Sequence, residues 1–269
     1  MISFPPCKIN LGLAVLAKRS DGYHDLETCF FPIPWTDILE IIPSTSISFS
    51  SSGNPIPGDT ATNLCLLAYQ RLAADYNLPP VTIHLHKVIP MGAGLGGGSS
   101  DGAHTLRLLN SLFELHLSTE KLLMYAASLG SDCSFFIHDK AMIGNGRGEI
   151  LSPTTVSLAG KFIVLAKPPI HVSTAEAYAG VIPAIPTLRV ENVLLEHPIA
   201  EWKTLLKNDF EASVFKKYPA IESIKNSLYA AGAVYSSMSG SGSTVFGIFD
   251  RETILPFPAE YDTWSGYLS

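Results

Sequence analysis

Pro90-Met91-Gly92-Ala93-Gly94-Leu95-Gly96-Gly97-Gly98-Ser99-Ser100-Asp101 is the stretch against which the rest of this 269-residue chain is read. Its glycines reach positive φ freely and let backbone N–H groups crowd round a bulky group. The preceding segment, Val81-Thr82-Ile83-His84-Leu85-His86, alternates apolar and polar residues as a strand with one buried face does. After the loop, Ala103, Leu106, Leu109, Leu112 and Phe113 recur at helical spacing, so Ser99, Ser100 and Asp101 stand at or near a helix start. The unpaired N–H groups there favour an anion. The helix dipole contributes only about 0.3 to 2 kcal/mol, so several convergent N–H donors must do most of the holding, which suits a polyphosphate better than a lone carboxylate.

Common motif names fail on this loop. Gly92, Gly94 and Gly97 satisfy G-x-G-x-x-G, but a dinucleotide fold wants a strand buried on both faces before it, and the alternation of Val81 to His86 argues against that. Gly92 and Gly97 also fit G-x-x-x-x-G, yet Gly98 stands where a P-loop has its lysine. The catalytic-loop and D-F-G signatures of protein kinases are absent.

Composition narrows the class. With 46% hydrophobic and 16% charged residues the chain builds a real core, as one large domain or two ordinary ones. A net charge of -6 argues against nucleic acid as the partner. Cys7, Cys29, Cys65 and Cys133 show no C-x-x-C pairing, so neither a zinc site nor a disulfide framework is expected, and reduced thiols in a cytoplasmic protein are. No signal peptide or membrane-spanning apolar run is read, so no membrane partner is expected.

Along the chain, Cys7 to Leu16 alternates as a strand, with Lys8 and Asn10 on one face. Asp21-Gly22 marks a tight bend that presents Tyr23 and His24. Phe30 to Ile42 reads as strand broken at Pro32 and Pro34, and Ser44 to Asp59 as a hairpin excursion. Helices are expected from a Thr62 cap to before Pro79-Pro80, from Ser118 to Leu129, and over Ile199 to Phe215 and Ala220 to Ala231. Ala141 to Ile150 reads as a hairpin, and a domain boundary falls between Pro153 and Ala159. Met238-Ser239-Gly240-Ser241-Gly242-Ser243-Thr244 is a second glycine-rich turn. In the tail, Pro256 and Pro258 forbid a long helix.

Pro90 to Ser100 resembles the ATP-binding loop, P-x-G-x-G-L-G-S/G-S-S, of the galactokinase, homoserine, mevalonate and phosphomevalonate (GHMP) kinase superfamily. Pro6-Cys7-Lys8-Ile9-Asn10-Leu11 and Arg19-Ser20-Asp21-Gly22-Tyr23-His24 resemble one branch of it, whose substrate carries a cytidine diphosphate group. Leu129-Gly130-Ser131-Asp132-Cys133-Ser134-Phe135-Phe136 is similar to the branch's L-G-A-D-V-P-F-F, with Ser131, Cys133 and Ser134 departing from it. The resemblance implies an α+β fold of two domains, residues 1–156 like ribosomal protein S5 domain 2 and residues 157–269 ferredoxin-like. It implies a kinase of a small-molecule alcohol, using ATP and Mg²⁺, in a non-mevalonate route to isoprenoid precursors. Lys8 and Asp132 would be catalytic; Pro90, Met91, Gly92, Ala93, Gly94, Leu95, Gly96, Gly97, Gly98, Ser99 and Ser100 would hold ATP. Asn10, Tyr23, His24, Thr174 and Tyr178 would bind the substrate, with Tyr23 and Tyr178 on opposite faces of the cytosine. Ser239, Gly240, Ser241 and Gly242 would close the phosphate site. The Mg²⁺ ligands stay open, Ser99 and Ser100 being near enough to serve. A sister kinase acting on homoserine or mevalonate and a non-catalytic sensor are the alternatives. The base-binding rings argue against the first, and the retention of Lys8 and Asp132 against the second.

Overall fold

A computed structural model describes residues 1–269 as an α+β fold of two compact units that interleave along the chain. The first comprises Met1–Lys8, Pro32–Met91 and Gly96–Lys140; the second comprises Ile9–Phe31, Gly92–Leu95 and Ala141–Ser269.

The chain starts with β1 (Ile2–Ser3), β2 (Pro6–Lys18) and β3 (His24–Thr36). β2 is buried on both faces from Cys7 to Val15, so Lys8 and Asn10 are not the solvated edge residues that their alternation alone would allow. Pro32 and Pro34 lie inside β3 and do not break it; the break falls at Asp37, before β4 (Ile38–Pro43). The stretch expected as a hairpin holds β5 (Ser48–Gly53), which pairs in parallel with β6 (Val81–Lys87), while β4 pairs with β6 antiparallel. In the first unit the sheet therefore runs β1-β4-β6-β5, and β6 alternates buried and half-buried as its sequence does.

Between β5 and β6 a 3₁₀ turn, Thr60–Thr62, precedes α1 (Leu64–Tyr76). The cap is Asn63, not Thr62: its side chain accepts the Cys65 N–H, and Asn63 in place leaves Thr62 in the preceding turn. α2 (Gly97–Leu112) follows the glycine loop, starting two residues before the serines because Gly96 takes the left-handed conformation at its cap. Ala103, Leu106 and Leu109 are fully buried on it. At Gly102, where a Cβ would stand 3.0 Å from that of Leu64, the absence of a side chain brings α1 close. Ser118 caps α3 (Thr119–Leu129), Gly130 ends it, and α4 (Cys133–His138) completes the unit.

In the second unit, β7 (Met142–Gly146) and β8 (Ile150–Pro153) form the expected hairpin and extend a sheet of order β2-β3-β7-β8. β9 (Phe162–Lys167), α5 (Thr174–Ala179), α6 (Val190–Glu196), α7 (Ile199–Leu205), α8 (Glu211–Lys217), α9 (Pro219–Ala230), β10 (Tyr235–Met238), β11 (Val245–Phe249) and β12 (Asp262–Tyr267) follow. The single helix expected over Ile199 to Phe215 is thus two, parted at 206–210 where the chain bridges to Leu13 of β2. The proline-bearing tail is non-helical up to β12, which pairs with β9 in a sheet of order β10-β11-β9-β12. The apolar faces of α5, α8 and α9 meet that sheet in one core, with Val164, Ala177, Val214, Ile224 and Leu228 all buried. No helix is long and apolar enough to cross a membrane.

Candidate active site

In the first unit the lysine strand, the helix start and the aspartate come together. Lys8 is 4% exposed, and its Nζ lies 3.8 Å from Oδ2 of Asp132. Burial lowers the pKa of Lys8 below the ordinary lysine value, against the opposing pull of the Asp132 charge. Asp132 precedes α4 at its cap position but makes no capping hydrogen bond, so its carboxylate, about a third exposed, is not consumed by the helix. Gly96 is where this geometry needs glycine: at φ 70 a Cβ would press to 3.2 Å from Cε of Lys8 and 3.1 Å from the Phe136 ring. Gly96 supplies no capping side chain either, leaving the first N–H groups of α2 without an intrahelical partner. Ser99 beside them is half-buried, with its side chain hydrogen-bonded to Cys133, whereas Ser100 is fully buried. Pro90 and Leu95 are buried, with Met91 and Gly98 partly exposed around them.

Under the same helix start lies an ion cluster that the sequence reading missed. Lys87, the last residue of β6, donates from Nζ to Asp37 and, at 2.9 Å, to Asp101; all three side chains are buried. The second oxygen of Asp37 accepts the N–H groups of Val88 at 2.7 Å and Ile89 at 2.8 Å, so one carboxylate fixes the approach to the glycine loop. Burial alone would lower the pKa of Lys87, but the two carboxylates outweigh it and hold it above the ordinary value. Burial, with the neighbouring Asp37 charge, pushes Asp101 up to about 7. The available signal was a lysine three residues before Pro90 on a strand whose alternation turns it inward. A cavity beside the cluster is lined by Phe49, Ile56, Asn63, Leu85, Met91 and Gly98, placing it along the loop.

The second unit holds the remaining candidates. Asn10 is 2% exposed and donates to Oγ1 of Thr28 at 2.9 Å. Arg19 bridges Asp21 and Asp25, and Asp21 accepts the Tyr23 N–H, so the bend before β3 is tied down by charge. His24 stacks on Tyr178, ring centroids 4.7 Å apart and planes 19° apart. Tyr23 is mostly exposed, with the Arg147 guanidinium 4.8 Å from its ring. Thr174 opens α5 and is exposed; Ser173 caps that helix.

The two glycine turns also meet within this unit, through Gly92–Leu95. Ser239 Oγ donates to the Gly94 carbonyl at 2.8 Å, and the Thr244 N–H donates to that of Ala93. Gly94, at φ 76, has no room for a side chain, since a Cβ would lie 2.1 Å from the Ser239 carbonyl oxygen. Gly240 and Gly242 also take positive φ, while Ser241 is half-buried between them. The double turn thus meets its neighbour through backbone and the Ser239 hydroxyl.

A glycine loop opening a helix, beside a buried lysine paired to an uncapped carboxylate, defines a phosphotransferase of small molecules. The family models for the GHMP kinases N-terminal domain and the GHMP kinases C-terminal domain match residues 63–140 and 191–255. The chain is 55% identical over 253 residues to a 4-diphosphocytidyl-2-C-methyl-D-erythritol kinase of Cytophaga hutchinsonii, covering 94% of this chain and 93% of that protein. It is 50% identical to the protein of that name from Bacteroides fragilis, with 97% of each covered. The crystal structure of a 4-(cytidine 5'-diphospho)-2C-methyl-D-erythritol kinase superposes with a TM-score of 0.80 at 34% identity, covering 92% of this chain and 90% of that one. The chain belongs to the GHMP kinase family, in its branch of 4-diphosphocytidyl-2-C-methyl-D-erythritol kinases. It is accordingly a kinase that draws its phosphoryl group from ATP.

Proposed function

We propose that this chain transfers the γ-phosphoryl group of ATP to the 2-hydroxyl of 4-diphosphocytidyl-2-C-methyl-D-erythritol, giving the 2-phosphate and ADP. The observation that carries the reading is the Lys8–Asp132 pair, held 3.8 Å apart beside the start of α2. Phosphoryl transfer asks for positioning and charge neutralisation more than covalent help. The first N–H groups of α2 and the backbone of residues 92–96 receive the phosphates, and the cavity along the loop takes the nucleoside half of ATP. Asp132 accepts the proton of the 2-hydroxyl. Lys8 pairs with that carboxylate and offsets charge on the phosphoryl group in flight.

Donors for a metal are sparse, since no group of three or more His, Cys, Asp or Glu converges anywhere in the chain. Mg²⁺ would neutralise charge on the phosphates, and Ser99, half-buried in the first turn of α2, would be the residue of this chain to hold it. His24, Tyr178 and Tyr23 recognise the cytosine, by hydrogen bonding and stacking. We take residues 1–156 and 157–269 as the family's two domains, a division supported by family matches that fall on either side of it. Four buried, unpaired cysteines support a reducing, cytoplasmic setting.

The test is ADP release by the purified chain with Mg²⁺-ATP and the cytidyl alcohol, run beside homoserine and mevalonate. Turnover with the cytidyl alcohol alone is expected. Turnover with another acceptor would reassign the substrate, and silence with all three would leave a ligand sensor.

A further inference from the structure

The break between α7 and α8, where sequence periodicity runs on as helix, holds Asn208-Asp209-Phe210, Glu211 follows as the first residue of α8, and each of the four makes a separate tie. Asn208 is 2% exposed and donates from Nδ2 to the carbonyls of Met238 and Gly240, both at 2.8 Å, while its Oδ1 accepts the Phe210 N–H. Both hydrogens of one amide are thus spent across the mouth of the second glycine turn. Glu211 holds the strand leading into that turn: Oε1 accepts the Met238 N–H at 2.8 Å and the Ser237 hydroxyl at 3.0 Å. Its other oxygen pairs with Lys225. Asp209 accepts the Val15 N–H at 2.7 Å, and the backbone on either side of Asn208 bonds to Leu13, tying the segment to β2. The buried Phe210 ring meets Tyr178 edge-on, with centroids 4.8 Å apart and planes at 81°, on the residue that also stacks on His24.

We propose that Asn208-Asp209-Phe210-Glu211 is a positioning unit for phosphoryl transfer. Asn208 and Glu211 hold the second glycine turn in register with Gly94 of the first, and Phe210 sets the ring plane of Tyr178 that receives the base. The proposal rests on the kinase reading above. The turn meets Gly94 through backbone and the Ser239 hydroxyl, so a small rotation of residues 238–240 moves the phosphate cradle directly. Displacements of about 1 Å can cost a hundredfold in rate.

Asn208→Asp keeps the size and the acceptor for Phe210 but turns a carboxylate oxygen toward two carbonyls. The full-length variant is expected to bind Mg²⁺-ADP at least about tenfold more weakly by calorimetry and to raise KM for ATP in proportion, with KM for the cytidyl alcohol moved less. Phe210→Leu is expected to do the reverse, raising KM for the cytidyl alcohol and leaving Mg²⁺-ADP affinity alone. A purely structural segment would lower Tm and the active fraction while leaving both KM values and ADP affinity unchanged in the folded protein, and that result overturns the proposal. Should Asn208→Asp not fold, Asn208→Ser, which keeps one hydroxyl facing the carbonyls, reads the same ADP affinity. Because ADP binding needs no turnover, an inactive wild-type chain would refute the kinase reading and still leave the turn measurement to decide this one.

Discussion

At the scale of single residues, the site turns on two charges in different surroundings. Asp132 is partly solvated and its carboxylate is free of helix capping, so Asp132→Asn removes the proton acceptor and the charge facing Lys8 without removing a helix cap. We expect kcat to fall by roughly 10² to 10⁴-fold with Mg²⁺-ADP affinity retained, measured by steady-state kinetics and calorimetry; near wild-type kcat would remove Asp132 from the mechanism. Lys8 is buried and its pKa is lowered from 10.5. Between that lowered value and 10.5 the folded chain binds fewer protons than the unfolded one, so stability rises with pH across that window, and the cost of the buried ammonium is fully present below it. Lys8→Met is therefore expected to abolish turnover while raising Tm at neutral pH, by about 2–4 °C for each kcal/mol relieved. A lower Tm in the melting curve would contradict this account.

At the scale of elements, Asp37 of the Lys87 cluster fixes the residues that lead into the glycine loop, and within the second unit the second turn bonds Ala93 and Gly94. Gly94→Ala forces a Cβ against the Ser239 carbonyl at positive φ, whereas Gly160, also at positive φ, faces open space. Both substitutions strain the backbone, by about 1–3 kcal/mol, but only Gly94→Ala should weaken Mg²⁺-ADP binding, by roughly tenfold; equal affinities would separate the turns from nucleotide binding. Asp101 titrates at about 7 in the fold, above its ordinary 3.8. Its favourable contribution is complete below the lower value and is lost as pH rises through the higher one. Asp101→Asn, neutral throughout, is expected to gain Tm over the wild type at pH 8 relative to pH 5.5, and an unchanged difference would contradict the cluster's electrostatics. The Lys87–Asp37 pair escaped the sequence reading because the two residues lie 50 positions apart, and no period or motif links positions at that distance.

At the scale of the whole molecule, β2 and β3 each contribute residues to both compact units, so neither unit owns a continuous chain. Heating is expected to give one calorimetric transition whose calorimetric and van't Hoff enthalpies agree; two resolved transitions would show that the units melt independently. Much of the molecule was legible in advance. Local chemistry determined the strand, glycine loop and helix around residues 81–112, the bend at Asp21-Gly22, the helix stop at Gly130 and the hairpin after it, because φ preferences, caps and periodicity act over a few residues. Motif order determined the family and both members of the Lys8–Asp132 pair. Tertiary structure decided what depends on remote partners. It buried Lys8 on a strand that read as one-faced and set β5 parallel to β6. It also split the helix at Asn208, where bonds to Leu13, Met238 and Gly240 outweigh the helical hydrogen bonds that periodicity alone would favour. Each of those outcomes balances desolvation or backbone pairing against groups distant in the chain, and that balance is struck only once the chain has closed on itself.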